Sequence, residues 1–185
     1  MISRTLKKLL FVVSVVILLT AMITATAFAV DDTGVTINGG SLSVGAITFA
    51  DFGDVTLDGQ QKTTTATWNI ADIIDSRGTG EGWNLSLTLT ELDSGTHTIP
   101  TGSMTVATAP VVTLADGTSS PAGDISVVPV DTGLDGSTVK LITAEANEGM
   151  GSYHISDLTA SLTIRADAYA GVYKTDATVA LVTGP

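Results

Sequence analysis

The stretch Asp75-Ser-Arg-Gly-Thr-Gly-Glu-Gly-Trp-Asn-Leu-Ser-Leu-Thr-Leu-Thr-Glu-Leu92 decides the fold class. Gly78, Gly80 and Gly82 resemble a phosphate-cradling loop by spacing. Such a loop needs a helix after it, because the helix N-terminus holds the phosphate. Here the glycines lead into an alternation instead. Trp83, Leu85, Leu87 and Leu89 interleave with Asn84, Ser86, Thr88 and Thr90. A period of two is a strand with one buried face and one polar face. The glycines then shape the bend before the strand, where positive φ costs them little. Arg77 is placed to pair across the bend with Asp72 or Asp75, and an exposed pair contributes only about 0–1 kcal/mol. Trp83 reads either as a core plug, whose full burial gives on the order of 3 kcal/mol, or as an aromatic face for a ligand.

The same texture continues outward. Short alternating runs recur between Gly, Asp, Asn and Pro, and long helical patterns are missing. Candidate strands lie at 35–37, 42–49, 63–70, 83–92, 104–107, 125–130, 139–144, 156–165 and 171–182. Ala66, Trp68 and Ile70 share a face, as do Leu158, Ala160, Leu162 and Ile164. Tyr173, Thr175, Ala177, Val179 and Leu181 line one side of the last run. Such stripes bury against each other in two packed sheets, so the expected fold is an all-β antiparallel β-sandwich of one domain. Residues 94–136 hold four of the five prolines and read as loops and short edge strands. Residues 145–151 read as a turn or short helix.

The chain's start has another character. Arg4, Lys7 and Lys8 precede an apolar run at 9–23, and Ala27-Phe28-Ala29 fits a cleavage site. Residues 1–29 are therefore expected to be a cleaved signal peptide, and residues 30–185 the mature domain. An uncleaved anchor is the alternative, since residues 9–29 approach the length that spans a bilayer. With the leader gone, the formal charge falls from −11 to −14. So acidic a chain repels phosphate backbones and anionic lipid, which argues against nucleic-acid partners. There is no cysteine, so neither disulfides nor a lipid-modified cysteine is available. The C-terminal residues carry no sorting signal, so no stable membrane anchor is expected after cleavage.

Two blocks carry a resemblance. Thr67-Trp-Asn-Ile-Ala-Asp72 with Ser76-Arg-Gly-Thr-Gly-Glu-Gly-Trp-Asn-Leu85 is similar to the first conserved block of the WxL domain. That family comprises cell-surface proteins of low-GC Gram-positive bacteria. Ala168-Tyr-Ala-Gly-Val-Tyr-Lys-Thr-Asp-Ala-Thr-Val-Ala-Leu-Val-Thr-Gly-Pro185 resembles its last block. In the family the final strand usually carries a second Trp-x-Leu; here Val179-Ala-Leu181 stands in its place. The resemblance implies an extracellular location at the cell surface or wall, with non-covalent attachment and peptidoglycan as the ligand. It places Trp83, Leu85, Trp68, Arg77, Tyr169 and Tyr173 as ligand-binding candidates.

Other functions are weighed on the residues. A self-assembling subunit of a fibre or surface layer is the alternative, making a homo-oligomer or other surface proteins the partners. An enzyme is not expected. His97 and His154 are the only histidines, and no Gly-x-Ser-x-Gly or His-Glu-x-x-His occurs. No catalytic and no metal-ligating residues are assigned. The carboxylates of Asp31, Asp32, Asp51, Asp54, Asp58, Asp131 and Asp135 fall in expected loops and leave calcium as the one cofactor to consider. Asn84-Leu-Ser86 matches a glycosylation sequon, but on a strand.

Overall fold

The alternating runs do become strands. The computed structural model describes residues 34–185. In chain order the strands are β1 (Leu42–Val44), β2 (Thr48–Phe49), β3 (Lys62–Asn69), β4 (Ile73–Asp75), β5 (Trp83–Leu89), β6 (Leu92–Asp93) and β7 (Thr98–Ile99). They continue as β8 (Met104–Thr108), β9 (Val112–Leu114), β10 (Ser126–Val127), β11 (Thr138–Ala144), β12 (Gly151–Ile155), β13 (Leu158–Ile164) and β14 (Ala177–Thr183). Ala122–Asp124 forms a single 3-10 turn. The fold is all-β, in three four-stranded antiparallel sheets ordered β1-β4-β12-β9, β10-β11-β5-β14 and β2-β3-β13-β8, with a β6-β7 pair. Asn38–Pro185 forms one compact unit. The expected leader at residues 1–29, and the alternative of an anchor there, lie outside the described residues. No helix among the described residues is long and apolar enough to cross a membrane.

The core follows from the period of two. Trp83, Leu85, Leu87 and Leu89 of β5 are buried, as are Ala66 and Trp68 of β3 and Leu158, Ala160 and Leu162 of β13. These stripes meet in one core with Met104, Val106, Leu134 and Tyr153, a sandwich-like packing. Trp83 and Tyr153 bring two of the sheets together, with ring centroids 6.4 Å apart. On β11 the register shifts between Lys140 and Ile142. That bulge buries two consecutive side chains, Leu141 and Ile142, where strict alternation would expose one.

Several expectations need correction. The polar face of β5 is not solvated: Asn84 and Ser86 are also buried, since β5 lies between β11 and β14. Asn84 Nδ2 donates to Gly184 O at 2.8 Å, so the sequon is internal. The run 83–92 divides, with Leu92 in β6 pairing Ile99. The run 42–49 also divides. Gly45 N donates to Asp72 O, and the chain leaves one sheet there and enters another at β2. Residues 35–37 form no strand, and Val35 and Ile37 are exposed. In 171–182 the regular strand starts only at Ala177, because Lys174 turns aside to exchange two backbone bonds of 2.9 Å with Asp93. β4 and β12 were not expected, and β7 and β9 were not placed individually within the 94–136 stretch. The segment 145–151 is a turn before β12, and the 94–136 stretch does consist of short strands and loops.

Candidate functional site

The glycine bend is built around Arg77. Gly78, Gly80 and Gly82 all have positive φ. At Gly82 (φ 71°) a Cβ would also lie 2.7 Å from Glu145 O, so only glycine fits. Arg77 Nε donates to Asp75 Oδ1 at 2.9 Å and Nη2 to Oδ2 at 2.8 Å, a bidentate pair. Nη2 also donates to Gly82 O at 2.9 Å, and Nη1 to Thr183 Oγ1 at 2.8 Å. One side chain thus ties the end of β4, the bend and the end of β14. The Asp75 side chain is 1% exposed and that of Arg77 13%, so this is not the exposed pair expected from the sequence. The hydrogen bonds from Arg77 hold the Asp75 carboxyl below its ordinary value near 3.8 and raise the guanidinium in turn. Asp72 pairs elsewhere, 2.7 Å from His154 Nδ1 on the surface.

Beyond the bend Trp83 is fully buried, and its indole N–H donates to Gly149 O at 2.9 Å. Gly149 (φ 69°) packs so closely that a Cβ would sit 2.6 Å from Trp83 Nε1. The Tyr153 hydroxyl lies 2.9 Å from Ser120 O and 3.0 Å from Met150 O, and burial pushes its pKa up. Leu85 is fully buried and Trp68 is 3% exposed. In this conformation Trp83, Leu85 and Trp68 present no free face to a polymer outside. Their apolar stripes belong to the core.

Tyr169 and Tyr173 are placed differently. They line an open groove of about 1040 Å³ between the segments 49–57 and 168–177. Trp68, Leu89, Leu92, Ile99 and Leu162 form its floor. Trp68 Nε1 donates to Ala50 O at 3.2 Å, and Phe49 and Phe52 meet the indole edge-on at 5.1 and 6.2 Å. The indole therefore fixes one wall from below. The opposite wall is pinned by the Lys174–Asp93 backbone bonds, by Thr175 Oγ1 donating to Thr90 O at 2.7 Å, and by Tyr173 Oη donating to Tyr169 O at 3.0 Å. Tyr169 is 63% exposed, and its ring stacks on His97 with centroids 3.7 Å apart and planes 2° from parallel. A smaller recess of about 210 Å³ continues past Tyr169 toward Pro100, Arg165 and Asp167.

Of the six sequence candidates, the structure brings Tyr169, Tyr173 and the edge of Trp68 to this groove; Arg77, Trp83 and Leu85 lie away from its lining. Sequence reasoning missed Phe49, Phe52 and His97. Phe49-Ala-Asp-Phe52 carried a usable signal, two aromatics in a Gly- and Asp-rich loop. His97 carried none, because its stacking partner is distant in sequence. The groove's charged lining is confined to Asp51, Asp54 and Lys174. Among the described residues no three His, Cys, Asp or Glu side chains cluster to hold a metal ion.

No curated protein and no solved structure matches the chain. The family model described as WxL domain, surface cell wall-binding, matches residues 29–178. The match covers most of the chain and stops inside β14, just before Val179. That family is a wall-binding one and not an enzyme family, and it places the protein outside the cell at its surface. The chain belongs to the WxL family of surface cell wall-binding domains.

Proposed function

We propose that the protein is a non-covalent attachment module that takes peptidoglycan into the groove beside Tyr169 and Tyr173, and that it is not an enzyme. One observation carries the reading: an exposed aromatic face stands at the mouth of a long open groove whose walls are held by hydrogen bonds. Sugar rings stack on such a face, and the amides and hydroxyls of glycan and peptide stems suit its threonine and backbone groups. The overall acidity of the chain opposes binding to an anionic wall. The groove eases that opposition, since uncharged residues supply most of its lining and Lys174 accompanies the two aspartates.

The core tryptophans support the site from beneath. Trp68 holds the 49–57 wall, and the Trp83 strand supplies Leu89 to the floor. Val179 in place of a family tryptophan is then compatible with binding, since it is half-buried opposite Leu87 and away from the groove lining. The test is co-sedimentation of the exported protein with purified sacculi, with and without calcium, beside Tyr169→Ala. Saturable binding that Tyr169→Ala weakens at least tenfold, with unchanged thermal stability, is the expected result. Binding unaffected by that substitution would refute the groove as the site.

A further inference from the structure

β14 is an outer strand. One edge pairs with β5 along Ala177–Thr183 without a register shift. The groups on its other edge are fixed by alternation. Asp176 O accepts from Thr90 N, and Gly184 N donates to Gly82 O, both at 3.1 Å. Even-numbered residues therefore turn their backbone groups toward β5, and in an antiparallel ladder the residues between them turn theirs away. Ala177, Val179, Leu181 and Thr183 direct N–H and C=O groups outward. Among the described residues no backbone hydrogen bond reaches those groups; β1 approaches β14 without making one.

The other edges are short or closed. β1, β2, β9 and β10 have two or three residues each. The outer edge of β8 is closed by a loop, through Val106 N to Thr132 O (3.0 Å), Asp131 N to Val106 O (2.8 Å) and Leu134 N to Met104 O (2.8 Å). Among the described residues β14 has none of the usual protections. Ala-Thr-Val-Ala-Leu-Val-Thr contains no charge, no proline, no glycine and no bulge.

We propose that this edge pairs with the same edge of a second copy, antiparallel and centred on Ala180. The strand is close to its own reverse. In that register Val179 faces Leu181 of the partner subunit, Thr178 faces Val182 of the partner subunit, and Ala180 faces itself across the two-fold axis. Outward-directed residues then meet only outward-directed residues. The four such positions form pairs that each exchange two bonds, about eight backbone hydrogen bonds in all. Val179 and Leu181, half-buried within each copy, gain apolar neighbours, and Val182 loses some of its 47% exposure. The strip is uncharged, which a chain of formal charge −11 needs wherever two copies touch. Pairing uses the same edge on both copies, so it closes as a dimer and does not propagate into a fibre. Two grooves on one dimer would raise avidity for a repeating polymer, a consequence that rests on the wall-binding reading while the pairing does not.

The test uses analytical ultracentrifugation of the protein recovered from a secreting host, as wild type, Ala180→Lys and Ala180→Glu. Ala180 is exposed and its backbone faces β5, so neither change removes a ladder bond. Urea midpoints establish that both variants fold. The wild type is expected to dimerise. Each variant alone should dimerise about fivefold more weakly, because like charges face each other across the axis. An equimolar mixture of the two should recover the dimer. A wild type that stays monomeric at its highest soluble concentration overturns the proposal. So does a dimer that neither charge weakens, or variants that the mixture does not rescue.

Discussion

Cutting Arg77 back to alanine tests how the glycine bend is held. The side chain makes four hydrogen bonds of 2.8–2.9 Å, two to Asp75 and one each to Gly82 O and Thr183 Oγ1. Without it the buried Asp75 carboxylate keeps one donor, the Arg77 backbone N–H at 3.1 Å. Removing one partner of a buried pair costs about 3–5 kcal/mol. The 13% exposure of Arg77 lets water reach part of the vacated space, so about 3 kcal/mol is expected at pH 7. Urea unfolding monitored by tryptophan fluorescence reads it. The sign of the pH dependence gives a second check. In the wild type Asp75 has a depressed pKa, so its contribution is whole above the unfolded value near 3.8 and is lost as pH falls through the lower folded value. In Arg77→Ala burial without a cation raises the same pKa, so the variant loses stability as pH rises past 3.8. The difference between the two proteins should therefore shrink as pH falls below 3.8. A loss under about 1 kcal/mol at neutral pH, or one that does not change with pH, would show that the pair behaves as a surface pair and refute the reasoning.

Trp83→Phe keeps the ring in the core but leaves Gly149 O without its indole donor; a loss of about 1–3 kcal/mol in urea unfolding is expected. Gly149→Ala meets both a positive φ and the Trp83 ring, and its loss should exceed about 2 kcal/mol by the same measurement. Tyr173→Phe removes the bond to Tyr169 O; it should cost about 0.5–1.5 kcal/mol and speed amide exchange in residues 168–173 more than in β5.

Much of the fold was legible because its long strands alternate cleanly. β5 and β13 carry an apolar residue at every second position, β3 does so from Ala66 on, and the core stripes on them are the ones the period indicates. β4 was hidden because three residues, Ile73-Ile-Asp75, are too few to show a period, and because its inward polar residue is a buried Asp whose cation lies two positions on. The division of 42–49 between two sheets was hidden too, since a strand and a strand that turns a corner share one alternation. At the candidate site, Tyr169 and Tyr173 were named through the resemblance, although Tyr173 was expected on a strand that begins only at Ala177. The opposite wall was not, because the 49–57 segment has almost no regular structure and is positioned by the Trp68 indole. Trp83 misled in one respect. An aromatic at the head of a strand reads equally well as plug or platform, and only the ring's surroundings, Gly149 and Tyr153, decide between them.

Amide chemical-shift mapping with soluble peptidoglycan fragments tests the central claim most directly. The account predicts saturable shifts concentrated in residues 49–57 and 168–177 and at His97, with the Trp83 and Trp68 indole signals still showing buried, hydrogen-bonded rings. Shifts centred on the bend at 76–82, or exposure of the Trp83 indole on binding, would contradict it and make the tryptophan core the ligand surface.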